Sequence, residues 1–149
     1  MTELPQTLEK ALGFNLHRVD LLMRRELMRA LADYGMTPEQ WQIMAALWEE
    51  PGPLNQNRVA AITLKDKHSV SRIIARLERN GWIEKRSDAS DARAVSLHLT
   101  PKGRALQREA PERLCRAFTR VHQALTPSEL DALMAALRKL RRVLEADGP

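Results

Sequence analysis

Cysteine is nearly missing from this chain of 149 residues. Cys115 stands alone, which excludes an internal disulfide and fits a reducing compartment such as the cytoplasm. Long apolar runs are missing as well. None approaches the ~18 residues needed to span a bilayer, and residues 1–10 carry neither the basic leader nor the apolar stretch of an export signal. There is no glycine-rich phosphate loop, no nucleophile elbow and no carboxylate pair framed by a strand end, so an enzyme is not expected. Ser69 and Ser71 follow close behind His68, but neighbouring helical residues point apart and form no triad. His17, His68, His98 and His122 lack metal-ligand spacing and cysteine partners, so neither a metal nor a cofactor is expected. Repeats, low-complexity tracts and interdomain linkers are absent too.

What is present is a foldable, basic chain. Apolar residues make up 44% and charged residues 29%, a balance that suits one soluble folded domain. The net charge is +5, and its distribution is uneven. Residues 1–57 hold 5 Lys/Arg against 8 Asp/Glu, residues 58–100 hold 9 against 5, and residues 101–149 hold 10 against 6. Excess cation favours a polyanionic partner without identifying it, and here the excess begins in the middle of the chain.

Apolar periodicity orders the elements. Leu8, Leu12, Leu16, Val19, Met23, Leu27, Ala30 and Tyr34 recur in steps of three and four, predicting one long helix over about 7–34 with Gly35 as its stop. Leu21, Leu22, Met28 and Leu31 widen its apolar face, so the helix needs partners on more than one side. Thr37-Pro38-Glu39-Gln40 spells a capped helix start, and Pro51-Gly52-Pro53 ends that second helix. Asn55 caps a short third helix carrying Val59, Ala60 and Ile62. Thr63-Leu64-Lys65 is the next turn, and Asp66 caps a fourth helix to about Asn80. Residues 82–86 and 95–99 read as the strands of a β-hairpin around a polar tip, residues 87–92. Two helices follow, at about 101–124 and 127–146, with Pro111 expected to kink or interrupt the first.

Two short helices joined by a tight turn and followed by a hairpin make a winged helix-turn-helix in a mainly α chain. The division expected is an N-terminal dimerisation helix (1–35), a DNA-binding winged unit (36–100) and C-terminal dimerisation helices (101–149). The outer helices carry apolar stripes too wide for the winged unit to cover, and a two-fold homodimer is the simplest way to bury them.

The fourth helix carries the function. With Val70, Ile73, Ile74 and Leu77 inward, helical geometry turns His68, Arg72, Ala75, Arg76 and Arg79 outward, flanked by Lys67, Ser69 and Ser71. A basic, hydroxyl-bearing face suits a major groove, where Arg forks onto guanine and Ser adapts to either base edge. A solvated helix face has the same composition, so the hairpin is needed to decide. Its strands carry Lys85 and Arg86, and Arg93 leaves its tip. An Arg there can enter the adjacent minor groove, held by Asp91 through a charge-assisted hydrogen bond. Helix and hairpin together point to double-stranded DNA.

Five motifs then match a known pattern in order: Leu54-Asn55-Gln56-Asn57, the run from Asp66 to Arg72, the run from Leu77 to Arg86, the run from Asp88 to Ala94, and Leu99-Thr100-Pro101-Lys102-Gly103-Arg104. On these, residues 36–104 resemble the winged-helix core of the MarR family of bacterial regulators. The resemblance implies a homodimer on pseudo-palindromic DNA, often a repressor and often released by a small ligand. It places recognition-helix roles on Lys67, His68, Ser69, Ser71 and Arg72, wing roles on Asp91 and Arg93, and wing support on Arg86. The chain departs from the family pattern at Asn55, His68, Trp82 and Ala92. The resemblance also implies an effector pocket between the first helix and the winged unit, where His17, Arg24, Trp41 and Met44 would receive a small aromatic or phenolic acid. The competing reading makes Trp41 and Met44 plain core. Two rival functions are a winged-helix module that docks a protein, and a thiol redox switch through Cys115. For Cys115 itself, an inert, half-buried cysteine is expected.

Overall fold

The computed structural model describes residues 7–87, 90 and 94–146. The expected first helix is divided in three: a 3-10 turn at Leu8–Lys10, helix α1 (Leu12–Leu31) and a second 3-10 turn at Ala32–Tyr34. Gly35 closes it in the left-handed conformation, φ 62°. Helix α2 (Pro38–Glu49) opens with a complete capping box, in which the Gln40 N–H donates to Thr37 Oγ1 (3.2 Å) and the Thr37 N–H to Gln40 Oε1 (2.9 Å). Helix α3 (Gln56–Thr63) starts on Asn55, whose side chain accepts from the Arg58 N–H at 2.8 Å. Helix α4 (Lys67–Arg79) follows, capped by Asp66.

Strands β1 (Ile83–Ser87) and β2 (Val95–Leu99) pair antiparallel, with Ile83 opposite Leu99 and Ser87 opposite Val95. Leu54 adds one bridge to the other edge of β2, its carbonyl accepting from the Leu97 N–H at 2.7 Å. Helix α5 (Pro101–Ala117) runs through Pro111, and the chain breaks at Phe118 before α6 (Thr119–Gln123). Of the kink or interruption expected at Pro111, the interruption does not occur. A proline in mid-helix deprives the carbonyl four residues back of its donor, and here that carbonyl belongs to Gln107, on the exposed side of the helix where solvent can serve as donor. Helix α7 (Pro127–Ala146) starts on a second capping box, between Thr126 and Glu129.

The chain forms two compact units, residues 1–114 and 115–149. In the first, Ile43 and Met44 of α2, Val59 of α3, and Val70, Ile74 and Leu77 of α4 are completely buried, with Leu31, Ile83, Leu97 and Leu106 around them. Burying side chains of this size stabilises by about 1.5–3 kcal/mol each. The second unit contains α6 and α7, and α7 has no buried residue. Cys115 is exposed, not half-buried as the sequence suggested. The inward face of α5 is Gly103, Leu106, Ala110 and, in part, Leu114, and Cys115 lies one residue, about a quarter turn, past it. No described helix is long and apolar enough to cross a membrane.

Candidate nucleic-acid interface

The sharp division of α4 creates the site. Val70, Ile74 and Leu77 are buried and Ile73 is half-buried, whereas Lys67, His68, Ser71, Arg72, Ala75, Arg76 and Arg79 are exposed. The apolar face fixes the helix axis and roll, so the polar face is presented by a rigid element. Among the described residues, no hydrogen-bond or ion-pair partner holds the side chains of Lys67, His68, Ser71, Arg72 or Arg76. Their donors are available to a ligand that offers acceptors.

The N-terminus of α4 is more tightly organised than the spacing alone reveals. Asp66 Oδ1 accepts from the Ser69 N–H (2.8 Å), and Asp66 Oδ2 from the Ser69 hydroxyl (2.7 Å). Those two hydrogen bonds hold the Asp66 carboxyl below its ordinary range. The Ser69 proton is thereby committed, and Ser69 can meet a ligand only as an acceptor. Gln56 Nε2 donates to the Lys67 carbonyl at 3.1 Å, tying the start of α3 to the start of α4.

The turn before α4 contains an outlier. Leu64, the C-cap of α3, adopts φ 53°, the one left-handed non-glycine residue among those described, and it is 81% exposed. Leu64 forms one wall of a groove of about 530 Å³ whose other walls are Glu39, Lys65, Asp66, Ser69, Arg72, Ile73 and Arg76. Two guanidiniums and an ammonium thus face the same space as an aliphatic surface. Across it, Glu39 forms an ion pair with Arg24 of α1. Burial pushes the Glu39 carboxyl up, but the Arg24 hydrogen bond and charge outweigh that, and the net displacement is downward from 4.5.

On the hairpin, Arg86 pairs with Glu84 on the same exposed face of β1, and Lys85 Nζ lies 3.9 Å from Glu78 of α4. Asp91 and Arg93 lie outside the described residues. The four residues expected to line an effector pocket do not converge. His17 is exposed on α1, Arg24 is held by Glu39, and Met44 is completely buried in the core. Trp41 packs edge-on against Trp48, centroids 4.8 Å apart, and lines a separate groove with Ile62 and Thr63. Met44 faces the core because it shares the inward stripe of α2 with Ile43 and Leu47.

Comparison with known proteins agrees with this geometry. A MarR family model matches residues 34–94, from the end of the first helical segment to the hairpin tip. The HTH-type transcriptional regulator TtmR of Methylorubrum extorquens is 31% identical over 103 residues, 69% of this chain; the chain spans about half the length of that relative, 52%. The HTH-type transcriptional regulator YkoM of Bacillus subtilis is 31% identical over 116 residues, covering 75% of this chain and 72% of YkoM. Among solved structures, BpsR of Bordetella bronchiseptica, whose DNA binding is regulated by 6-hydroxynicotinic acid, superposes with a TM-score of 0.81 at 26% identity, over 92% of this chain and 97% of BpsR. A winged fold with a cationic recognition helix, a matching family model and a regulator matched over most of its length agree, and the chain belongs to the MarR family of transcription regulators.

Proposed function

We propose that the chain is a cytoplasmic, ligand-responsive repressor that binds a pseudo-palindromic operator as a homodimer. On this reading it is a binding protein, not an enzyme. The observation that carries the DNA contact is the outward face of α4, where Lys67, His68, Ser71, Arg72 and Arg76 stand exposed and unpartnered above a completely buried opposite face. The major groove, ~12 Å wide, admits one α-helix. Arg72 and Ser71 then meet base edges, while Lys67 and Arg76 meet phosphates. Two-fold symmetry requires two such helices about one turn of DNA, ~10 bp, apart.

Support for the homodimer comes from α1, where Leu12, Leu16, Val19 and Leu22 are 39–59% exposed in the single chain. An apolar stripe of that length on a soluble protein is covered by a partner. A small aromatic or phenolic acid is proposed as effector. Since the four expected pocket residues do not converge, we place it in the groove beside α4, where Arg72 and Arg76 attract a carboxylate and Leu64 and Ile73 receive a ring. An anion there occupies the cations that DNA needs, which couples its binding to release.

Titration of promoter DNA at several salt concentrations tests the reading. Observed affinity should fall linearly on logarithmic axes as counterions are released. A winged module that docks a protein would show no specific shift of promoter DNA at any salt.

A further inference from the structure

Three consecutive carbonyls leave the C-terminus of the recognition helix, and the first turn of α5 takes up all of them. The Asn80 carbonyl accepts from Lys102 Nζ at 2.7 Å. The Gly81 carbonyl accepts from Thr100 Oγ1 at 2.5 Å. The Trp82 carbonyl accepts from the Thr100 N–H at 3.2 Å and lies 3.1 Å from the same hydroxyl. These carbonyls lie at and just beyond the C-cap of α4, where no helix continues to supply donors, and here the donors come from 18 to 22 residues further along. Thr100 at the same time caps α5, its oxygen accepting from the Gly103 N–H at 3.1 Å. One hydroxyl therefore joins the end of α4 to the start of α5.

Two further features lock this joint. The Lys102 ammonium lies 4.1 Å from the centroid of the buried Trp82 ring, a cation–π contact that a leucine at 82 would not offer. Gly103 has no Cβ, and one built there would overlap the Trp82 carbonyl oxygen. Gly81 turns the chain from α4 into β1 with φ 78°. None of Thr100, Lys102 or Gly103 lies on the outward face of α4, so the proposed DNA contact has no use for them.

We propose that Thr100, Lys102 and Gly103 form a positioning site that fixes the angle between α5 and the recognition helix, and thereby the half-site spacing a dimer accepts. The spacing part rests on the homodimeric DNA reading given above; the joint itself does not. Chain geometry gives the consequence: α5 is the route out of the winged region, so whatever holds or moves α5 is transmitted to α4 through these hydrogen bonds.

The test has a DNA-free arm and a DNA arm. In the first, hydrogen exchange is followed at the amides of Asn80, Gly81 and Trp82, bonded to the carbonyls of Arg76, Glu78 and Leu77, in wild type, Thr100→Val, Thr100→Ser and Lys102→Met. Thr100→Val and Lys102→Met should each speed exchange there about tenfold relative to the α2 amides, with Thr100→Ser near wild type. In the second, each protein is titrated with a selected operator, with the same half-sites moved apart by one and two base pairs, and with unrelated DNA. The two disrupted variants should lose about tenfold on the selected operator, discriminate less between spacings, and bind unrelated DNA as wild type does. Unchanged exchange, or equal losses on specific and unrelated DNA, overturns the proposal. If Thr100→Val fails to fold, Lys102→Met decides. A wild-type protein that selects no DNA would defeat the regulator reading, and the exchange arm would still decide the joint.

Discussion

The winged region and the outer helices treat similar amounts of apolar side chain in opposite ways. In α2, α3 and α4 the apolar stripes close on one another, and Ile43, Met44, Val59, Val70, Ile74 and Leu77 have no exposure at all. In α1 only Ala30 and Leu31 are buried, and Leu12, Leu16, Val19, Leu21, Leu22 and Met23 remain 39–59% exposed. In α7, Leu133 and Met134 are each 43% exposed and Leu144 73%. The lesson is a division of labour between parts of one chain. The winged region completes its core by itself, whereas the outer stripes stay open in the single chain, as the proposed homodimer requires.

That contrast can be broken first at the outer helices. Leu16→Asp should convert the dimer to monomer and weaken operator binding by about 10²–10⁴-fold, the advantage of linking two half-site contacts. All three tryptophans, Trp41, Trp48 and Trp82, lie in the winged region, so their fluorescence should still report a folded protein. Sedimentation and titration measure the first effect, and emission spectra the second. A variant that stays dimeric, or that loses its tryptophan signature, removes the distinction.

The mirror experiment strikes the core. Leu77→Ala should cost about 2–5 kcal/mol in denaturant unfolding followed by tryptophan emission, through lost transfer energy and the cavity left behind. Leu64 sharpens the comparison from within the winged region. Its left-handed backbone is strained and its side chain packs on little, so Leu64→Gly should raise stability by up to about 1 kcal/mol in the same assay. If the groove contains the effector site, that substitution should weaken effector binding at the same time.

A smaller effect belongs to the Arg24–Glu39 pair that links α1 to α2. The folded Glu39 carboxyl is displaced downward, so its contribution is complete above 4.5, the unfolded value, and is lost as pH falls through the lower folded value. The pair is about a third exposed on each side, 39% and 33%, and screening limits it to about 0–1 kcal/mol. Arg24→Ala should lower stability slightly at neutral pH, and the difference from wild type should shrink below pH 4.5 and vanish once pH is below the lowered folded value. Urea titrations at the two pH values measure it.

Local signals were legible in the sequence and distant ones were not. Thr37 with Gln40, Thr126 with Glu129, and Asp66 before α4 declare their helices because a cap and its donor lie within three residues. The two faces of α4 follow from periodicity in the same way. The Thr100 hydroxyl on the Gly81 carbonyl spans 19 residues, and no local pattern encodes it, although Thr-Pro-x-Gly marked the place. The commitment of Ser69 to Asp66 was hidden because a hydroxyl's partner depends on its rotamer. Pro111 does not interrupt α5 because a helix tolerates a lost donor where the orphaned carbonyl lies on its exposed side. Met44 failed as an effector residue because it shares the inward stripe of α2 with Ile43 and Leu47, and its spacing of three from the half-buried Trp41 could not tell core from pocket.

Selection of bound fragments from a random DNA library, run in parallel with wild type, Ser71→Ala and Arg72→Ala, tests the central claim most directly. The account predicts a palindrome for the wild type with half-sites about 10 bp apart. Arg72→Ala should cost about 1–3 kcal/mol and lose preference at the same position in both halves, with Ser71→Ala altering a neighbouring one. Recovery of no palindrome, or identical base preferences for all three proteins, would contradict it.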